Sequence, residues 1–453
     1  MKEELLKLID EHSGEFEDVS DAVWGFAETC FNEHKSSALQ MQFMADRGFR
    51  ITTPVCGMDT AFIAECGSGA PILAILGEND ALPNMSQVAG SDKEEPIVAG
   101  ENGHGCGHHL LGTGGMEAAA ALKIYMEKNG LPGTIRYYAC PAEEGGGGKV
   151  YMACGGAFDD VDAAVTWHPA DQNHLCFAGK SCVTANFQFF GKAAHAAGEP
   201  WNGRSALDAV ELMNVSAQFL REHMKTDCRL HYAILNSGGT APNVVHKEAM
   251  VQYVVRSMDG AYLNELFGRV CDIAKGAALM TGTTVSEPNI ISAYSSRIFN
   301  YTFADVMLEN WKALLPIQYT EEELACAKKY NALGVHPDPD APIATELDDR
   351  KRTEVGGTTD VNDASWFVPV MQADVALCPK GVPGHSWQLV SMGKTPLAHK
   401  GMHTAAKIMA TTLLDLLESP ELVEKIKDEF HENMKGRKYK SLMPCTDFTK
   451  RSV

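Results

Sequence analysis

Cys106 and His108 stand two residues apart among Gly103, Gly105 and Gly107. Glycines permit tight backbone paths, so the thiol and the imidazole can be turned toward one point. A thiolate beside an imidazole suits a borderline-soft divalent ion, zinc or else manganese. Taken alone, the pair reads equally well as buried structural side chains. Glu143 and Glu144 are adjacent carboxylates followed by Gly145 to Gly148. An isolated Glu-Glu pair is ordinarily an exposed charged loop. This one ends an apolar run, Thr134 to Cys140, and two carboxylates crowded at a strand end repel unless a cation is near. One would bind the cation while the other stays free as a base. His168 ends another apolar run, in Trp167-His168-Pro169, and His385 lies in Gly384-His385-Ser386-Trp387. Each by itself reads as a satisfied, half-buried histidine. With Cys106, His108 and Glu144 they would complete a metal site.

The elements that must bring these residues together follow from the hydrophobic pattern. Over the first 180 or so residues helix-like and strand-like segments alternate, which predicts an α/β fold with a mixed sheet flanked by helices. Pro71 to Leu76 enters Gly77-Glu78-Asn79-Asp80, Thr134 to Cys140 enters Pro141-Ala142-Glu143-Glu144, and Ala163 to Trp167 enters His168. Each polar group then lies just past the carboxyl end of a strand, where open α/β sheets gather their ligands. Leu110 to Asn129 has helical spacing through Met116, Ala119, Leu122 and Met126, with Gly130 as its stop. Cys106 and His108 would therefore sit at a helix N-terminus.

From Cys182 to Tyr294 the pattern becomes a strand (182–190), a helix (204–224), two strands, a helix (262–280) and a strand. This predicts a four-strand, two-helix module inserted into a larger domain, with 1–181 and 297–453 as the two parts of the latter. Thr320-Glu321-Glu322-Glu323 reads as a capping-box helix start, although the role of 300–350 is obscure. A last helix is expected around His403 to Leu417.

At 453 residues, two domains are the default expectation, and 45% hydrophobic with 22% charged residues is typical of a globular enzyme. The acidic, amphipathic start Met1 to Ile9 is unlike a signal peptide. No run of about 18 apolar residues predicts a membrane span. Thirteen cysteines without framework spacing argue for reduced thiols, hence a cytoplasmic protein. A net charge of -20 argues against nucleic acid and anionic membranes as partners. The short Lys435-Arg437-Lys438-Lys440 run reads as a solvated tail.

Five segments, in order, resemble the amidohydrolases of the M20 metallopeptidase family, subfamily D. They are Gly105-Cys106-Gly107-His108, Pro141-Ala142-Glu143-Glu144-Gly145-Gly146, Trp167-His168-Pro169, Gly191-Lys192-Ala193-Ala194-His195-Ala196 and Gly239-Thr240-Ala241-Pro242-Asn243-Val244-Val245. The resemblance spans nearly the whole chain. It implies two divalent ions per subunit, zinc or manganese, with Cys106 as the shared ligand and His108, Glu144, His168 and His385 completing the sites. It implies Glu143 as general base, Asp80 as the carboxylate that orients a ligand or the catalytic Glu, and Asn243 and Arg256 as the grip on a substrate carboxylate. It further implies a homodimer, formed through the inserted dimerisation/lid module, in which His195 serves the partner's active site. Two positions depart from the pattern. His109 stands where many relatives have Asp, and Glu78 where the wider superfamily has a histidine ligand, so either is a further candidate ligand.

The reaction that the resemblance implies is hydrolysis of an amide beside a small carboxylate-bearing group, with p-aminobenzoyl-glutamate the first expectation and dipeptides or N-acyl amino acids the alternatives. Another chemistry makes Cys106 a nucleophile with His108 or His168 as base, but it leaves Glu144 and the other histidines without work. A noncatalytic metal-holding scaffold is disfavoured by the intact Glu143. Dependence on a heteromeric partner chain stays open.

Overall fold

Four parallel strands form the middle of the larger sheet in the computed structural model, which describes residues 2–177, 179–348, 357–443 and 446–450. Met1, residues 349–350 and Cys445, all touched by the expectations above, lie outside the described residues. The parallel strands lie in the order Gly133–Cys140, Ile72–Glu78, Ala163–Ala170, Val370–Ala376. Antiparallel strands flank them: Phe62–Ser68 and Arg50–Thr52 on one side, the short His174–Leu175 on the other. Helices cover both faces of a parallel core, so its strands are buried on both sides and read as unbroken apolar runs. Leu73 and Ile75 pack into one core with the helices Lys2–Phe26, His108–Asn129 and Pro396–Glu418. Ala74 and Leu76 face the other, which includes Val150 to Ala153 and continues into the second sheet.

The second sheet is antiparallel. Its longest strands, Ser181–Phe190 and Glu248–Ser257, pair along their full length, and Arg229–Asn236 forms the edge beyond Glu248–Ser257. The helices Ala206–Glu222 and Gly260–Thr281 cover one face, where Ala249, Val251, Tyr253 and Val255 alternate inward. The return strand is split in two. Thr284–Val285 and Asn289–Tyr294 both pair with Ser181–Phe190, and Pro288 between them lacks an N–H for the ladder.

Two further differences from the expected elements concern termini. His168 lies within the strand Ala163–Ala170 rather than past its end. The last long helix begins at Pro396, with the Thr395 side chain accepting from the Ala398 N–H and Pro at the first turn. It is followed by a separate helix, Pro420–Met434. In the segment of obscure role, Tyr301–Lys312 and Glu321–Asn331 are helices, the second carrying the full Thr320/Glu323 capping box. They buttress the Pro396–Glu418 helix, and Tyr330 bonds Ser391 at 2.8 Å.

Candidate metal and active site

Gly107, in the left-handed region at φ 76°, turns the chain into the helix that starts at His108. That turn brings the Cys106 and His108 side chains to the carboxyl ends of the parallel strands. The helix lies very close to the strand end, since a Cβ on Gly112 would stand 2.4 Å from the carbonyl oxygen of Glu78. Only glycine fits there.

Around Cys106 the donor atoms form two trios. Cys106, His108 and His168 offer ligand atoms within 4.8 Å of one another, and so do Cys106, Glu144 and His385. The Cys106 Sγ lies 3.3 Å from His168 Nε2, and Glu144 Oε1 lies 3.2 Å from His385 Nε2. A third trio, Glu78, His108 and Glu143, adjoins them. Asp80 Oδ1 accepts from His108 Nδ1 at 2.9 Å, while its Oδ2 accepts from the Glu144 N–H at 2.9 Å. With Nδ1 held by Asp80, His108 turns Nε2 toward the other donor atoms. That Nε2 lies 3.2 Å from Glu78 Oε2, and both are buried with no well-formed hydrogen bond between them. Buried polar atoms are ordinarily satisfied, and sulfur, nitrogen and carboxylate donors converging on one region match divalent metal chemistry. The residues present fit such ions.

The charges shift one another accordingly. Burial pushes the Cys106 thiol up, but the His168 and His108 imidazoles outweigh it and bring it down to about 6. Burial lowers His168, and the Cys106 sulfur reverses this, to about 10. Hydrogen bonds to Cys106 and Glu144 raise His385 to about 10. Glu143 is held well above the usual carboxylate range, first by loss of water and then by Glu78, Glu144 and Asp360 nearby. A carboxyl poised high is suited to carry a proton.

Several residues that hold this site have no local signature in the sequence. Lys149, fully buried, pairs with Glu78 at 2.5 Å and Asp360 at 2.7 Å, and Asp360 also accepts from its N–H. Tyr294, from the second sheet, donates to the Glu143 carbonyl at 3.0 Å. Glu33 accepts from the Ala142 N–H at 3.0 Å. Lys149 follows the glycine run after Glu144, a weak signal; the others are joined to the site only by the fold.

His109 points elsewhere, its Nε2 donating to the Gly393 carbonyl at 2.9 Å and its ring 4.8 Å from that of His104. Burial lowers both imidazoles, His104 to about 4 and His109 well below its usual value. His109 belongs to none of the trios, whereas Glu78 joins one. His195 and Asn243 lie side by side in exposed loops beside the second sheet, linked by the Ala196 N–H to the Asn243 carbonyl and by the His195–Val244 bridge. Arg256 lies on the strand Glu248–Ser257 and donates to Thr358 at 3.1 Å. None of these three is in a donor trio.

A model of peptidase family M20/M25/M40 matches residues 74–448. One of the two p-aminobenzoyl-glutamate hydrolase subunits of Escherichia coli K12 is 40% identical over 460 residues, covering 95% of this chain and 94% of the relative. The Xaa-Arg dipeptidase of Mus musculus is 27% identical, covering 95% and 92%. Among solved structures, a dinuclear metal-binding M20 peptidase from Bacillus subtilis superposes with a TM-score of 0.60 at 15% identity, covering 90% of this chain and 99% of that one. At that identity the likeness concerns the fold.

Proposed function

The chain belongs to peptidase family M20/M25/M40 and is a hydrolase of amide bonds, and on that premise we propose that it cleaves p-aminobenzoyl-glutamate into p-aminobenzoate and glutamate. The substrate is suggested by the name of the 40% identical relative. The observation that carries the mechanism is the sharing of Cys106 between two donor trios. Cys106, His108 and His168 would hold one divalent ion, and Cys106, Glu144 and His385 a second, zinc or manganese. When bound, the ions supply Lewis acidity to the scissile carbonyl and to the attacking water.

The remaining roles fall to the chain's own side chains. Glu143 takes the proton from water and returns it to the leaving amine. Asp80 keeps the His108 proton on Nδ1 and aims Nε2 inward. Arg256, with Asn243, grips the substrate carboxylate; a guanidinium matches that group with two parallel hydrogen bonds. His195 is the oxyanion donor. The Ala197 and Gly198 N–H groups point at its Nδ1, 3.2 and 3.0 Å away, so the ring's proton sits on Nε2, free to be donated.

The assembly proposed is a homodimer through the second sheet. Its edge strand Arg229–Asn236 leaves Tyr232, Ile234 and Leu235 exposed, beside Val215 and Phe219 of the Ala206–Glu222 helix. An uncovered apolar edge of this kind is a ready pairing surface. The 40% identical relative is one of two separately named subunits of its hydrolase, which adds a heteromeric partner as a second possible association. Cys66, Cys106, Cys140, Cys182, Cys228 and Cys378 are buried thiols outside any disulfide, in keeping with the reducing cytoplasm. Among the described residues no helix is long and apolar enough to cross a membrane.

The test is hydrolysis by the purified chain alone of p-aminobenzoyl-glutamate, an Xaa-Arg dipeptide and an N-acyl amino acid, before and after chelation. Release of p-aminobenzoate, lost in chelator and restored by zinc or manganese, is expected. Preferential cleavage of another member of the panel would replace the substrate, and turnover that survives metal removal would overturn the mechanism.

A further inference from the structure

Ala142, immediately before the proposed base, sits at φ 59°. An L side chain resists that conformation, so it persists only where its surroundings hold it. Its carbonyl accepts from the Gly146 and Gly147 N–H groups, which holds the peptide on one side of the residue. Glu33 accounts for the other. This residue stands at the start of the helix His34–Asp46 and has no solvent exposure. Its Oε1 accepts from the Ala142 N–H and from the Phe31 N–H, each at 3.0 Å. Phe31 is itself left-handed, at φ 62°, so a single oxygen ties two disfavoured backbone turns together. The other oxygen, Oε2, is buried without a partner. Burial, and then the neighbouring Asp80 carboxylate, raise this carboxyl to about 7, in keeping with an acceptor whose charge is dispensable.

We propose that Glu33 is a positioning residue of the active site, clamping the Ala142 peptide through Oε1 and so setting the direction in which Glu143 presents its carboxylate. This rests on Glu143 being the base. Glu33→Gln keeps a carbonyl oxygen where Oε1 stands, whereas Glu33→Leu removes the acceptor at similar size. Turnover, bound metal and hydrogen–deuterium exchange of the 141–147 segment are measured for both. The Gln variant should retain near wild-type turnover and loop protection. The Leu variant should exchange faster in that segment and lose about 100-fold in kcat, the scale of an ångström-sized misplacement, with KM and metal content little changed. Combined with Glu143→Gln, the Leu change should add little further loss, because both act through one group. Glu33→Asp, which withdraws the acceptor by one methylene, carries the same expectation and takes the place of the Leu variant should that chain not fold. A Gln variant as impaired as Leu, or unaltered loop exchange in the variants lacking the acceptor, would overturn the clamp. A wild-type chain with no Glu143-dependent turnover would instead refute the assignment of the base, leaving the exchange comparison to decide the clamp.

Discussion

Two neighbouring carboxylates have different surroundings, and this sets what each can do. Burial raises the Glu144 carboxyl, but the His385 hydrogen bond together with the charges of His108 and His385 carries it below its usual range. Glu143 is raised by its enclosure and by three other carboxylates. Glu144→Gln should therefore lose bound metal along with activity. Glu143→Gln should keep metal and lose roughly the 10²–10⁴-fold contributed by a general base. Elemental analysis beside kcat separates them, and equal metal loss in both would show the roles to be wrongly divided. Cys106 has the most consequential single atom, since its sulfur belongs to both trios. Cys106→Ser exchanges a soft ligand for a hard one at the shared position, so the metal count should fall for two sites together. Full occupancy with normal turnover would reduce Cys106 to a core thiol.

At the scale of elements, the helix Pro396–Glu418 joins the site's scaffold to the helix Lys2–Phe26 through one half-buried cation. His403 donates from Nδ1 to Glu117 on the helix His108–Asn129, at 2.9 Å, and from Nε2 to Glu17 on the helix Lys2–Phe26, at 3.0 Å. Burial opposes its charge, but the Glu117 and Glu17 carboxylates carry its pKa up to about 9, with His399, Lys407 and Asp10 the other titratable groups around this cluster. Because the folded value lies above the unfolded one, the stabilisation is complete below about pH 6.5 and is lost as pH rises through about 9. Melting temperature should fall across that window. His403→Gln should melt lower at pH 6.5 and show a flatter profile, the two proteins converging near the alkaline end; parallel profiles would refute the linkage. The same pairing explains a shortfall in sequence reading. His399, Lys400 and His403 interrupt the apolar pattern of this helix, so its first turns are hidden until Asp21, Glu323, Glu17 and Glu117 are seen opposite them. Strands buried on both faces were legible because burial leaves unbroken apolar runs, and Cys106, His108, Glu143 and Glu144 because their chemistry is concentrated at strand ends. Lys149 with Asp360, and Glu33 with Ala142, pair across 211 and 109 residues. No local spacing records such partners.

For the molecule as a whole, a net charge of -20 disfavours the approach of an anionic substrate, so cationic and hydrogen-bonding groups close to the metals matter more than the overall field. His195 is the group whose place in one chain is incomplete: it is exposed, its Nδ1 is occupied by two backbone N–H groups, and it belongs to no donor trio. If the edge strands Arg229–Asn236 of two chains pair, the loops carrying His195 and Asn243 are brought along with the sheet to which they are attached. The expected outcome is that His195 then serves the partner's site, donating from Nε2 to the oxyanion, a contribution that can reach about 3 kcal/mol for one donor. Complementation tests this directly. Inactive Glu143→Ala and His195→Ala proteins are mixed under conditions that exchange protomers, with exchange followed by a mass tag on one of them. In trans, each mixed dimer contains one site in which Glu143 comes from one chain and His195 from the other, both intact, so activity should reappear in proportion to mixed dimer. In cis, every site still lacks one of the two groups. Demonstrated exchange without recovered activity would therefore exclude the trans arrangement, and an Ile234→Lys substitution in both chains should abolish recovery by placing a charge on the pairing edge.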